Sequence, residues 1–130
     1  MTTDDSHPTL AQPVLRVVPA PGDINSNGHI FGGWILSQMD IAGGITARRR
    51  AKGPVATVAI EGMEFLRPVL LLDILALYTK IERIGRSSMR VRVDVKVNRA
   101  DAAEEFPVTH GVFTFVAIDE NGRPRPVDGE

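Results

Sequence analysis

The chain has no cysteine, and that absence excludes disulfides, thiolate metal sites and cysteine nucleophiles together. It fits a reducing compartment. Net charge is nearly absent too: 15 Lys and Arg against 16 Asp and Glu leave −1, so nothing global draws the protein to nucleic acid or an acidic membrane. No apolar run approaches the roughly 20 residues that span a bilayer. The opening MTTDDSHPTL is polar and acidic, without the apolar region of a signal peptide. No His, Asp or Glu cluster has metal-ligand spacing, so no metal site is expected. No Gly-rich stretch is a P-loop or a dinucleotide fingerprint. What is present is ordinary: 130 residues, 43% hydrophobic and 24% charged. These figures suit one cytoplasmic domain with one sizeable core.

Charge is missing locally as well. From Ile24 to Ala47 the only Asp, Glu, Lys or Arg is Asp40. From Phe31 to about Ala51 the apolar period is helical, with Phe31, Trp34, Ile35, Ile41, Ala42 and Ile45 on one face and Leu36 and Met39 widening it. So broad an apolar surface predicts a central helix covered by other elements. Gly43 and Gly44 each cost about 1 kcal/mol of helix propensity, which close approach of a sheet or second helix would offset. RRRAKG supplies cations for the carbonyl end and then a glycine stop.

Around this helix lie strand candidates. PVLRVV (13–18) is short and closes in a Pro/Gly turn. Four long ones follow: 55–69, bent at Pro68, then 73–85, 87–99 and 106–119. The third alternates cleanly, with Met89, Val91, Val93, Val95 and Val97 on one side. Short turns predict that successive strands pair antiparallel. The inventory is α+β: a curved antiparallel sheet wrapped around a long central helix. Its edges would be exposed, so dimerisation is expected. Residues 1–12 read as a disordered lead-in and 122–130 as a loose tail, with the domain placed at 13–126 and 127–130 beyond it.

A lone carboxylate in an apolar helix either pairs with something buried and fixes the fold, or it has a task. The helix start is the second signal. NSNGHIFGG places two Asn and three Gly where first-turn N–H groups are free and the dipole is positive. Such a terminus can hold an anion or an incipient oxyanion. Asn27 reads as turn chemistry, while Asn25 is open. Gly33 and Asp40 are about 10 Å apart along the axis, too far for one carbonyl to touch both. If both act on one atom, they come from two antiparallel copies of the helix. His29 is a weaker candidate base and His110 a strand residue. Arg48, Arg49, Arg50 and Lys52, with Arg83, Arg86 and Arg90 around GRSS, form a basic cluster that either faces solvent or receives a phosphorylated ligand.

Four blocks in this order, NSNGHIFGGWILSQMD, VATVAIEGMEFLRPV, GRSSM and FTFVAID-ENGRPRP, resemble the hotdog-fold acyl-CoA thioester hydrolases of the short bacterial YciA type. The similarity runs from about Val14 to Pro126. It implies a hotdog-fold hydrolase that cleaves acyl-CoA to free CoA and a carboxylic acid, with no cofactor beyond the CoA of its substrate. Asp40 matches the family's catalytic carboxylate, Asn25 its polar partner, and Gly32 and Gly33 the backbone donors for the thioester oxygen. Arg48, Phe65, Arg67, Arg86, Ser87 and Ser88 are implied as substrate and CoA contacts. The family implies a homodimer with shared active sites, assembled as a trimer of dimers. One position departs: where the family reads P-V-x-x-G-D, this chain has PVLLLD, with Leu72 for the glycine. In this reading Asp40 activates a water or attacks directly to give a mixed anhydride. The alternatives are a non-enzymatic acyl-CoA sensor, which would need an output module, and a hotdog dehydratase or isomerase, for which His29 is the sole candidate base.

Overall fold

The structure, a computed structural model, describes residues 12–100 and 104–129. The expected lead-in lies, but for Gln12, outside these residues. The elements are β1 (Leu15–Val17), a 3-10 turn (Pro21–Asp23), α1 (Gly32–Ala51), β2 (Val55–Phe65), β3 (Ile74–Ile84), β4 (Ser88–Asn98) and β5 (Phe106–Ala117). All strand pairings are antiparallel, in the order β1-β3-β4-β5-β2. The α+β arrangement inferred from the sequence is thus present, with α1 packed on the sheet.

The pattern on β4 explains the core. Met89, Val91, Val93, Val95 and Val97 point inward and are fully buried, and Phe113 and Phe115 of β5 join them. Against this surface α1 lays Ile35, Met39, Ala42, Gly43, Ala47 and Ala51, the i, i+4, i+7 stripe of a helix. This corrects the expected face. Phe31 and Ile41 are half exposed, and Trp34 only flanks the core. The whole run is apolar, so periodicity alone did not select which stripe meets the sheet. Close approach holds for Gly43, where a Cβ would stand 2.9 Å from Phe115, but at Gly44 the same ring is an ordinary 3.7 Å away. The helix ends at Lys52, which takes the left-handed conformation (φ 57°) expected of Gly53.

Two further expectations fail. Strands β2 and β3 do not pair; β2 joins β5 at the far end of the sheet. Residues 66–73 make a crossing connector rather than a hairpin turn, first held to β5 by Leu66 N–H to the Val108 carbonyl. Nor is 122–129 a loose tail. Val127 is buried in the core and its N–H bonds to the Arg86 carbonyl at 2.8 Å. Arg125 donates to the carbonyls of Ala51, Ile118 and Pro126, so its guanidinium satisfies the helix end and fastens the segment beneath it. Leu72 does not disturb the Leu70–Asp73 turn: it keeps a negative φ and is 83% exposed. Among the described residues no helix is long and apolar enough to cross a membrane.

Candidate active site

The loop before α1 is built on Asn25. Its N–H donates to the His29 carbonyl at 2.6 Å, and its own carbonyl accepts from Gly28, whose φ of 80° suits glycine. Oδ1 accepts from the N–H of Asn27 (2.9 Å) and His29 (3.1 Å). This is an Asx turn. It uses the side-chain oxygen and so leaves the Nδ2 donors for a ligand. Asn27 is an ordinary member of the turn, as expected.

Phe31 opens the helix with no side-chain cap. Its carbonyl takes the N–H groups of Trp34 and Ile35. The Gly32 and Gly33 N–H groups, at the positive end of the helix dipole, have no acceptor among the described residues. Beside them opens a cleft of about 300 Å³, lined by Asn25, His29, Gly32, Phe65 and Arg67, with an apolar floor that includes Ile30, Ile35 and Val69. The Phe65 ring lies 3.4 Å from where a Gly32 side chain would begin. No carboxylate lines this cleft. Arg67 sits over the Phe106 ring at 4.8 Å, with no ion pair among the described residues.

Asp40 is elsewhere. It sits half-buried on α1 next to exposed Ile41, and Thr57 Oγ1 of β2 donates to its Oδ1 at 2.6 Å. Thr57 escaped the reading of the sequence. A threonine in a β-branched strand carries no special signal, and the contact spans 17 positions. Thr57 lies on β2, the end strand of the sheet among the described residues, which exposes Val58 and Ile60.

The remaining candidates gather toward the opposite end of the helix, where Arg48 lies about 24 Å along the axis from Gly32. Arg48, Arg49 and Lys52 line a surface basin of about 420 Å³. Arg86, Ser87 and Ser88 form the β3–β4 turn nearby; the Ser87 carbonyl accepts from Ala117 N–H. Arg50 is neutralised by Asp128, which raises the guanidinium pKa and lowers that of the carboxyl, and Arg90 pairs with Glu61. One chain therefore brings Asn25, Gly32, Phe65 and Arg67 together, but leaves Asp40 and the Arg48–Arg86 cluster apart from them. His29 borders the cleft, and His110 pairs with Glu64 at 3.1 Å. No group of three or more potential metal ligands exists among the described residues.

A family model described as the thioesterase superfamily matches residues 27–100. A Haemophilus influenzae protein described as an uncharacterized acyl-CoA thioester hydrolase is 46% identical, over 90% of this chain and 78% of its own length. The acyl-CoA thioester hydrolase YciA of Salmonella typhimurium is 42% identical, over 98% of this chain and 97% of its own. Among solved structures, a hexameric thioesterase from Yersinia pestis superposes with a TM-score of 0.87 at 40% identity, covering 94% of this chain and 99% of that one.

Proposed function

This chain belongs to the thioesterase superfamily, as a hotdog-fold acyl-CoA thioester hydrolase of the YciA type, and from that premise we propose how its residues divide the work. The thioester carbonyl lies at the helix start of one subunit, where the Gly32 and Gly33 N–H groups and the Asn25 amide meet the oxygen as it becomes anionic. Asp40 of a second subunit takes a proton from water as that water attacks the carbonyl carbon. The tetrahedral intermediate collapses, the C–S bond breaks, and the electron pair leaves with the CoA sulfur. A thiolate is a good leaving group, so the step needs no metal or cofactor.

The observation that carries this reading is the separation itself: the helix-start donors and Asp40 lie apart on one helix, and Asp40 is bonded to β2, the end strand of the described sheet. Edge-to-edge pairing of β2 with its copy would cover Val58, Ile60 and Ile41 and give two equivalent sites per homodimer. Three such dimers make the hexamer we assign to this chain. Arg48, Arg49 and Lys52, with Arg86, Ser87 and Ser88 nearby, are proposed to receive CoA phosphates, and a cytoplasmic location suits that substrate. To test the reading, thiol release from acyl-CoAs of several lengths is followed for the wild type and Asp40→Asn. The variant is expected to stay folded and lose a factor of about 10²–10⁴ in turnover. Near wild-type turnover would remove Asp40 from the mechanism.

A further inference from the structure

Asp73 is the one charged side chain that is fully buried among the described residues, at 1% exposure. Arg99 grips it with two parallel bonds, Nε to Oδ1 and Nη2 to Oδ2, both 2.8 Å. Oδ2 also accepts the Leu70 N–H at 2.8 Å, and Arg99 Nη2 reaches the Pro68 carbonyl at 3.0 Å. A turn of this kind is closed by its backbone bond alone, here Asp73 N–H to the Leu70 carbonyl. Burying a carboxylate in it is strongly unfavourable unless the pairing is this complete. The pair therefore fixes more than a turn.

Between the clamped points lies Val69, a cleft residue, whose carbonyl accepts the Ile30 N–H at 2.8 Å. Ile30 stands two positions before Gly32. Arg99 also lies over one ring, Phe106, at 4.9 Å, and Arg67 of the cleft lies over the same ring at 4.8 Å. Two routes thus lead from the ion pair to the cleft: one through Val69 to the helix start, the other through Phe106 to Arg67.

We propose that Asp73 and Arg99 are positioning residues for thioester hydrolysis: the pair sets the distance between the cleft wall (66–69) and the first-turn amides, and so where the carbonyl sits against its donors. This rests on reading the Gly32 and Gly33 N–H groups as the oxyanion donors. Misplacement by about 1 Å costs up to about 10²-fold in rate, and it falls on kcat because the donors bind the transition state more tightly than the substrate.

The test uses the full chain and acyl-CoA. Arg99→Ala leaves a slot reachable from solvent, since the arginine is 34% exposed. The folded variant is expected to lose about ten- to a hundredfold in kcat with a far smaller change in KM. Millimolar guanidinium chloride should restore part of that kcat, and potassium chloride at equal ionic strength should not. Asp73→Asn keeps the shape and an acceptor for Leu70 but removes the charge. It should lose kcat similarly, without rescue. Wild-type kcat in either folded variant overturns the proposal, as does a loss in Arg99→Ala that guanidinium leaves untouched. If Arg99→Ala does not fold, Asp73→Asn decides by its kcat and KM alone. A wild type that releases no thiol would instead remove the hydrolase reading beneath the proposal.

Discussion

Thr57 gives its one hydroxyl proton to Asp40 Oδ1, which holds that carboxylate oxygen still; in the proposed mechanism the other oxygen meets the water. A hydrogen bond to a charged group contributes about 1.5–3 kcal/mol. Thr57→Val preserves the shape of the strand residue and removes the donor, so kcat is expected to fall about ten- to a hundredfold on that scale, and the melting temperature to drop by a few degrees with the lost bond. Steady-state kinetics beside a thermal melt checks it; an unchanged kcat would mean that Asp40 needs no such support. The two residues also show what a sequence makes legible. Asp40 stood out because an acid is anomalous in that company, whereas Thr57 is an expected strand residue. Asn25 is intermediate: the sequence left its role open, and only the structure shows that it builds the turn through its side-chain oxygen.

The helix is the element on which sequence and structure agree in extent and disagree in orientation. Its bounds followed from the period, although the C-terminal cap fell to Lys52 rather than Gly53. Its buried stripe did not, because apolar residues surround it and the choice was made by β4 and β5. The adjacent glycines turn that difference into an experiment. Ala at either position gains up to about 1 kcal/mol of helix propensity. At Gly43 the new methyl meets the buried Phe115 ring at 2.9 Å, and overpacking of that kind costs about 1–3 kcal/mol. At Gly44 the nearest ring atom is at contact distance, 3.7 Å. Gly43→Ala is therefore expected to lower the denaturation midpoint and Gly44→Ala to raise it. Equal shifts for both would contradict the packing described. The segment after β5 was misread for a related reason. GRPRPVDGE has the composition of a loop, and its one aliphatic side chain, Val127, is what docks it.

For the whole molecule the prediction concerns two chains rather than one. Asp40→Asn and Asn25→Ala, each expected to be inactive alone, are mixed under conditions that exchange subunits. A mixed dimer holds one site with both substitutions and one with neither. With random exchange of equal amounts, about half the dimers are mixed, and about a quarter of wild-type activity should return, as follows from a two-fold site built from both copies. Exchange confirmed by mass, with activity still at the parental level, would place both groups within one subunit or remove Asn25 from the site. The class of fold was legible, because four long strands with one broadly apolar helix point to a sheet wrapped around that helix. Strand order was not: short connections suggested neighbours in sequence would be neighbours in the sheet, and β2 is the exception. That exception bears on the timing of synthesis. β2 leaves the ribosome second of the five described strands, yet its strand partner among the described residues, β5, is made last. Until then β2 has no strand beside it, and the sheet is completed only when the fifth strand has been made.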